Sequence, residues 1–398
     1  MTVAMSHPGF NSGALPPLPN SAAFGARLTR SGQGATPGDA KLHNRTLVLQ
    51  TLYSVGAMSR ADLARATGLT KVTVSGLVGE LIADGLLREL GLQESQRPGK
   101  PAILVDLARD AFAVIALDLS DHRVFRGALL DLTGHVIDRA SAPLDGAMGD
   151  VAVELAISLA LDLASRTTVP LIGLGVGTPG VVDDAGTVRT AANLGWEQVD
   201  LQRQLGERTG LPTVVANDAN LAALAESSFG DSSDDFIVIT IGHGVGSGLI
   251  IGGRPVTGTR FASGEIGQVM VGTDLGLEAP YAREQVLEHW LSVPSLNAAL
   301  AAESDKDDAR ERVLREAGYR LGIALAPVVG VLNLAEVVLA GPLELIEGTL
   351  AEATLEILRR RTMPDSHNDL IIRTSMQGDD LILRGAVAIV LHAQLGVV

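Results

Sequence analysis

The chain has 398 residues, 46% of them hydrophobic and 19% charged, which is enough apolar material for two or three folded domains. It contains no cysteine, so disulfides, thiol nucleophiles and cysteine-ligated zinc are excluded. The longest uncharged apolar run near the carboxyl end, residues 321–335, is interrupted by Pro327 and Gly330 and is too short to span a bilayer. Because no signal peptide is evident either, we expect a cytoplasmic protein without membrane contact.

The net charge of −15 is distributed unevenly. Residues 1–106 carry 10 Lys or Arg and 7 Asp or Glu, whereas residues 107–398 carry 21 and 39. The sequence therefore joins a small, slightly basic module to a large acidic one. This contrast favours nucleic acid as a partner of the first part, whereas the acidic surface of the second part identifies no partner.

The first 108 residues predict an arm followed by a DNA-binding fold. Residues 1–40 are rich in Gly, Pro and Ser and lack apolar periodicity, which predicts a disordered arm. Apolar residues then recur at near-helical spacing, Ser59 is placed to cap a second helix that Gly68 ends, and Thr70 opens a third. Three helices separated by a glycine turn are typical of a helix-turn-helix.

The next segment predicts the wing of this fold. Residues 86–92 and 101–107 have the composition of strands, and the polar loop 93–100 separates them. We therefore predict a winged helix-turn-helix over residues 41–108. The alternative is a three-helix bundle whose helices only pack, but the wing and the charge balance favour DNA binding.

The third helix should enter the major groove with its first turn. The residues predicted to contact DNA are Arg60, Thr70, Lys71, Thr73 and Ser75 in the helices and Arg97 and Lys100 in the wing. Lysine and arginine suit phosphates and guanine edges, and hydroxyls suit phosphates or bases. The alternative for each residue is an ordinary solvated surface position. One small module offers few base contacts, so we expect a homodimer or tetramer that binds an inverted repeat in double-stranded operator DNA.

Beyond residue 108 the pattern is α/β, with strands and helices that alternate twice. The predicted strands cover residues 112–120, 124–132, 134–144, 171–177, 213–218, 235–242 and 336–341, and the predicted helices 151–166, 219–228 and about 307–334. Such an alternation indicates two lobes.

Glycine-bearing segments occur in a fixed order in this part, where glycine permits positive φ and close approach of the backbone to a ligand. They are GVGTPG (175–180), NLGW (193–196), GHGVGSG (242–248), SGEIGQ (263–268) and LAGPL (339–343). The segment NDAN (217–220), which has no glycine, lies between the second and the third of them. This ordered set resembles the ROK family, which comprises repressors, open reading frames and sugar kinases. The resemblance implies a two-lobed actin/hexokinase-like (ribonuclease H-like) α/β domain over residues 109–398 that senses a sugar. The preceding winged module resembles the one that ROK repressors carry and ROK kinases lack.

Three departures from the family pattern argue against kinase activity. Kinases of this fold carry a D-x-G-G-T turn for ATP phosphates, and residues 118–122 read DLSDH here, with a carboxylate that repels phosphate. His243 replaces a threonine in the second phosphate turn, and Pro342 stands where a glycine is usual. We therefore expect no ATP, no catalytic residues and no enzyme activity.

The zinc site of the family is expected to be absent. The family uses a histidine after the E-x-G segment together with three cysteines. In this chain Gln268 occupies the histidine position and there is no cysteine, so we expect no metal and no cofactor.

The sugar-binding positions are better preserved. By resemblance, the residues that contact the sugar are Asn217, Asp218, Glu265, Gln268 and Glu278. Carboxylates suit this task because each one accepts hydrogen bonds from two hydroxyl groups. The alternative for Asn217 and Asp218 is a helix cap, since both residue types are favoured there.

Together these observations predict a sugar-responsive transcriptional regulator, most simply a repressor that a sugar between the lobes releases from its operator. One alternative is an ATP-dependent sugar kinase with an accessory DNA-binding module, in which Asp218 would be the general base. Another alternative is constitutive DNA binding with a vestigial sugar cleft.

Overall fold

The computed structural model describes residues 37–92, 102–271, 283–302 and 306–397. These residues form an amino-terminal module and two α/β lobes, as the α/β prediction required. Within the described part of the chain, no helix is long and apolar enough to cross a membrane.

The amino-terminal module is a winged helix-turn-helix. Its elements are α1 (Pro37–Val55), β1 (Met58–Ser59), α2 (Arg60–Thr67), α3 (Lys71–Ala83), β2 (Leu87–Leu92) and β3 (Ile103–Leu107). The strands form an antiparallel sheet in the order β1-β3-β2. Helix α1 begins at Pro37, four residues before the predicted boundary, and the predicted arm up to residue 36 and the wing loop 93–101 lie outside the described residues.

Local capping explains where the helices of this module begin. The hydroxyl of Ser59 accepts a hydrogen bond from the Asp62 N–H, 3.1 Å away, and Gly68 ends α2 at φ 70°. Thr70 caps α3 in the same way through the Thr73 N–H. The apolar faces of the helices then close a core that consists of Val48, Leu49, Leu52, Leu63, Val74, Leu77, Val78 and Leu81.

The first lobe is built on a five-stranded sheet. Its elements are β4 (Ala113–Asp118), β5 (Val124–Asp131), β6 (Val136–Pro143), α4 (Gly149–Ser165), β7 (Leu171–Thr178), β8 (Val181–Val182), β9 (Val188–Ala191), β10 (Trp196–Val199), α5 (Leu201–Thr209), β11 (Thr213–Asn217) and α6 (Asp218–Phe229). The sheet order is β11-β7-β4-β5-β6, and β8, β9 and β10 form a separate small sheet. The strands predicted at 112–120, 124–132 and 134–144 correspond to β4–β6, whereas the small sheet was not predicted.

The second lobe contains a second five-stranded sheet and most of the helices. Its elements are β12 (Phe236–Ile241), β13 (Val245–Ile251), β14 (Arg254–Pro255), α7 (Leu287–Leu291), α8 (Val293–Ala302), α9 (Lys306–Leu332), β15 (Glu336–Ala340), α10 (Leu343–Ile346), α11 (Thr349–Arg361), α12 (Pro364–His367) and β16 (Ile371–Thr374), and α13 (Leu381–Leu395) follows them. The sheet order is β14-β13-β12-β15-β16. The helices predicted at about 307–334 are one helix, α9.

Helix α13 leaves the second lobe and packs on the sheet of the first. The backbone contact is close: a Cβ added to Gly175 of β7 would lie 2.1 Å from the Ala386 carbonyl oxygen of α13. A Cβ on Gly385 would lie 2.0 Å from the carbonyl oxygen of Leu221 in α6. Both glycines are therefore required because two backbones meet there.

Helix α6 also touches the second lobe, and a buried ion network fixes this contact. Glu226 of α6 is 1% exposed and accepts a hydrogen bond from the Arg373 guanidinium of β16 at 2.9 Å. The same guanidinium donates to Glu336 of β15 at 3.1 Å. Because buried charges are stable only when they are paired, this network ties α6 to two strands of the second sheet.

A joint connects the carboxyl end of α13 to α1 of the winged module. The Gln50 side-chain amide donates to the Gly396 carbonyl oxygen at 2.6 Å. Gly396 has φ 67°, and a Cβ there would lie 2.6 Å from Thr46 Cγ2. Arg109, between β3 and β4, donates to the carbonyl oxygen of Leu52 at 3.3 Å. We call these contacts of residues 46–52 with Arg109 and Gly396 the α1–α13 joint.

Candidate functional site

A cleft of about 1190 Å³ lies between the lobes at the amino end of α6. Its charged and polar lining residues include Asp118, Ser120, Arg126, Asn193, Asn217, Asp218, His243, Glu265, Gln268 and Glu288. Four of the five residues predicted to contact a sugar, Asn217, Asp218, Glu265 and Gln268, therefore line one cavity. The fifth, Glu278, lies outside the described residues.

Asn217 and Asp218 occupy the junction of β11 and α6. Asn217 is the N-cap of α6, where its Oδ1 accepts a hydrogen bond from the Asn220 N–H at 3.0 Å. Its Nδ2 donates to the Gly180 carbonyl oxygen and to Asp218 Oδ1. Asn217 is thus a cap that also orients its neighbour, and Asp218 faces the cleft from the first turn of the helix.

The pKa of Asp218 is raised to about 7. Burial is the largest cause, the negative charge of Asp118 is the second, and Glu265 adds to it. The Ala219 N–H opposes the shift by donating to Asp218 Oδ1 at 2.8 Å. A carboxyl group that titrates near neutrality can accept or release the proton of a bound hydroxyl.

Asp118 at the end of β4 is a further acidic group of the cleft, 2% exposed. The N–H and hydroxyl of Ser120 both donate to Asp118 Oδ1, at 3.0 and 2.6 Å. Burial raises the pKa of Asp118, although these two hydrogen bonds act to lower it. Arg126 Nε lies 3.8 Å from Asp118 Oδ2 and is buried without a hydrogen-bond partner among the described residues. The rest of the Arg126 side chain is partly exposed and lines the cleft.

Glu265 and Gln268 belong to the turn 263–268, which follows β14. Gly264 has φ 95°, and a Cβ there would lie 1.9 Å from the Ser247 carbonyl oxygen, so only glycine lets this turn approach β13. Glu265 remains accessible from the cleft. Its pKa is raised, first by partial desolvation and then by the charge of Glu288.

The two turns that hold ATP phosphates in kinases of this fold contact each other here. His122, between β4 and β5, and His243, between β12 and β13, have stacked rings with centroids 3.9 Å apart and planes at 25°. Burial and the neighbouring His122 lower the pKa of His243. Glu288 of α7 braces the second turn by accepting a hydrogen bond from the Val245 N–H at 3.0 Å. The imidazole pair therefore bridges the two lobes at the cleft, which His243 lines.

Among the residues that the structure describes, no group of three or more His, Asp or Glu side chains is arranged to hold a metal ion.

The predicted DNA-contacting residues of the helices lie on or near α3. Lys71 and Ser75 are exposed, whereas Thr70 and Thr73 bond to each other through their hydroxyls at 2.9 Å. Arg60 is paired with Glu89 of β2 at 2.9 Å. Arg97 and Lys100 lie outside the described residues, so the structure places neither.

Sequence reasoning missed several residues of the cleft. Asp118 was considered only as part of a degraded turn, and Arg126 and Glu288 were not considered at all. Asn193 belongs to the NLGW segment, which was recognised as a motif without a role. The signal for Asp118 was its position at the end of a buried strand, the usual place of ligand-binding residues in α/β folds. Arg126 and Glu288 belong to none of the sequence motifs named above, so no sequence signal pointed to them.

Fold and cleft together define a two-lobed α/β protein that carries a winged helix-turn-helix. The sequence model of the ROK family matches residues 114–393, and that of the MarR family matches residues 43–97. The chain therefore belongs to the ROK family.

Similar proteins include both repressors and kinases. A xylose repressor of Caldicellulosiruptor bescii is 26% identical over 388 residues, which cover 88% of this chain and 96% of the repressor. A glucokinase of Halalkalibacterium halodurans is 30% identical over 288 residues, which cover 64% of this chain and 87% of the kinase. The crystal structure of a ROK family transcriptional regulator, a homologue of the E. coli MLC protein, superposes with a TM-score of 0.77 at 22% identity and covers 90% of this chain and 97% of its own. The repressor match thus extends over the winged module as well as the lobes.

Proposed function

We propose that this protein is a transcriptional repressor that binds operator DNA through its winged module and releases it when a sugar enters the cleft. One observation carries the proposal. The same chain has an exposed helix α3 and an acidic cleft, and the helices α6 and α13 connect the cleft to the winged module. The similarity to a xylose repressor over 88% of the chain supports it.

The cleft suits a polyol. Asp218, Glu265 and Gln268 provide acceptors and an amide on two different lobes, and hydroxyl groups that bridge them would favour one lobe arrangement over another. A sugar shifts that equilibrium only by its difference in affinity for the two arrangements. Residues on both lobes supply such a difference.

The path from the cleft to the DNA is short. Asp218 is in the first turn of α6, α6 contacts α13 at Gly385, and the end of α13 contacts α1 at the α1–α13 joint. A movement of α6 would therefore be transmitted by packed backbone to the winged module. In a dimer on an inverted repeat, such a displacement changes the spacing of the two α3 helices.

The test is selection of genomic DNA fragments by the purified protein, with and without a panel of pentoses, hexoses and amino sugars. Enrichment of one inverted repeat and its loss with one sugar are expected, together with binding that weakens as salt rises. Asp218→Ala should keep DNA affinity and lose the sugar response, whereas Asp150→Ala, an exposed residue of α4, should keep both. Binding that does not depend on salt, or a full sugar response of Asp218→Ala, would contradict the proposal.

We do not propose the kinase activity that the glucokinase similarity raises. Ser120 closes the first phosphate turn onto Asp118, and the imidazole pair of His122 and His243 bridges the two turns. The assay is ATP-dependent phosphorylation over the same sugar panel, for which we expect no turnover. We also propose that the protein works without zinc, because Gln268 replaces the family histidine and no cysteine is present.

A further inference from the structure

The first turn of α3 exposes a large apolar side chain. Val72 is 84% exposed, although the helix buries Val74, Leu77 and Val78 on its opposite face. Valine is also a weaker helix former than most residues, because its β-branch restricts the side chain. Neither packing nor helix propensity accounts for a valine at this position. A single exposed apolar residue does not by itself indicate a function. The residues around Val72 are therefore needed to judge whether this position binds a partner.

The surroundings of Val72 include a free positive charge. Lys71 is exposed and makes no hydrogen bond or ion pair with any described residue. By contrast, the other described lysines and arginines of the module are paired with carboxylates, namely Lys41, Arg45, Arg60, Arg65 and Arg88. The one cation of the described module without an acidic partner therefore stands next to Val72, which makes this face complementary to a polyanion.

Beyond Val72, the same side of the helix carries two glycines and the exposed Ser75. Gly76 and Gly79 follow at four and seven residues, on the same side of the helix, and a Cβ added to either would meet no atom within 4 Å. Nothing in the described chain requires glycine there, yet each glycine destabilises the helix by an amount equivalent to about fivefold in its folding equilibrium. A partner can thus approach the α3 backbone closely beside Val72.

We propose that Val72 recognises a thymine in the operator through the C5 methyl group in the major groove. This inference rests on the proposed function and specifies which residue reads a base. The thymine methyl is the apolar feature of the major groove, and small apolar side chains are its usual contacts. Lys71 binds the adjacent phosphate or a guanine edge, while Thr70 and Thr73 use their hydroxyls to begin the helix. Val72 is therefore the apolar base reader of the first turn.

The test combines a protein variant with a change of a single methyl group in the DNA. A pool of random-sequence duplexes is first selected with the wild-type protein, and each thymine of the enriched site is then replaced by deoxyuridine. At one thymine per half-site we expect about fourfold weaker binding by the wild-type protein, the effect of one methyl group removed from an apolar contact. Val72→Ala should bind the thymine and deoxyuridine duplexes equally well. Val331→Ala, at an 81% exposed position of α9, is the matched control and should behave as wild type.

The possible results separate the inference from the proposed function. If the wild-type protein enriches a site but Val72→Ala keeps the same sensitivity to deoxyuridine at every thymine, the inference is wrong and the repressor proposal stands. If the wild-type protein enriches no duplex, the proposed function fails and the inference with it.

A second variant tests the close approach. Gly76→Ala combined with Gly79→Ala should raise the melting temperature, because alanine favours the helix, and should weaken binding to the selected duplex at least tenfold by holding the helix away from the groove. Undiminished binding by this double variant would show that the helix does not approach closely and would overturn the geometry proposed for Val72.

Discussion

Replacing Asp218 with asparagine should stabilise the protein, and the gain should depend on pH. The pKa of Asp218 is raised from 3.8 to about 7 in the folded protein, so the folded state holds this proton up to about pH 7 while the unfolded chain releases it near pH 4. As pH rises through this window the unfolded state loses the proton first, and the folded protein is progressively destabilised. Three pKa units correspond to about 4 kcal/mol above pH 7. Asparagine has the same shape and never ionises.

The measurement is the urea midpoint of wild type and Asp218→Asn between pH 5.5 and pH 8. The free-energy gap between the two proteins should widen by about 2 kcal/mol over this interval, and it should be level above pH 8. Asp150→Asn, which changes an exposed carboxylate in the first turn of α4, is the matched control and should give a gap that does not vary. A constant gap for Asp218→Asn, or one that narrows as pH rises, would refute the reasoning about burial and Asp118.

Three further variants test contacts that hold the fold. Gly385→Ala should lower stability by about 2 kcal/mol or more, because its Cβ would lie 2.0 Å from the Leu221 carbonyl oxygen; an unchanged melting temperature would contradict this. Arg373→Met should destabilise by about 3 kcal/mol because it leaves the buried Glu226 unpaired, which urea titration measures against wild type. Ser59→Ala should cost about 1 kcal/mol through loss of the α2 cap, and proteolysis of the winged module should speed up accordingly.

Features set by neighbouring residues were predictable from the sequence. The caps at Ser59 and Thr70 and the strands β4–β6 follow from residue type and spacing over a few positions. The alternation of strands and helices predicted two α/β lobes, the ordered motifs specified the family of that fold, and the family match agrees. The small sheet β8-β9-β10 was missed because its strands have two to four residues, too few to show a pattern.

Features set by distant residues were not predictable. His122 and His243 were each noticed as a departure from a phosphate turn, but only the three-dimensional structure shows that their rings stack. Arg60 was selected for its charge, and its pairing with Glu89, 29 positions away, had no signal in the sequence. Val72 was given no role from the sequence, and only the structure shows that it is 84% exposed beside Lys71.

The order of the elements has a consequence for biosynthesis. Helix α13 covers the sheet of the first lobe and contacts α1, yet about 150 residues separate it from the end of α6. At translation rates of 5–20 residues per second, α13 is therefore synthesised about 8–30 s after the rest of the first lobe. During that time the apolar side chains of β4 and β7 that face α13 have no cover from it, which makes the nascent chain a substrate for chaperones. A chain that ends before residue 381 would lack α13, so the sheet of the first lobe would have no cover from this helix and the winged module would lack the α1–α13 joint.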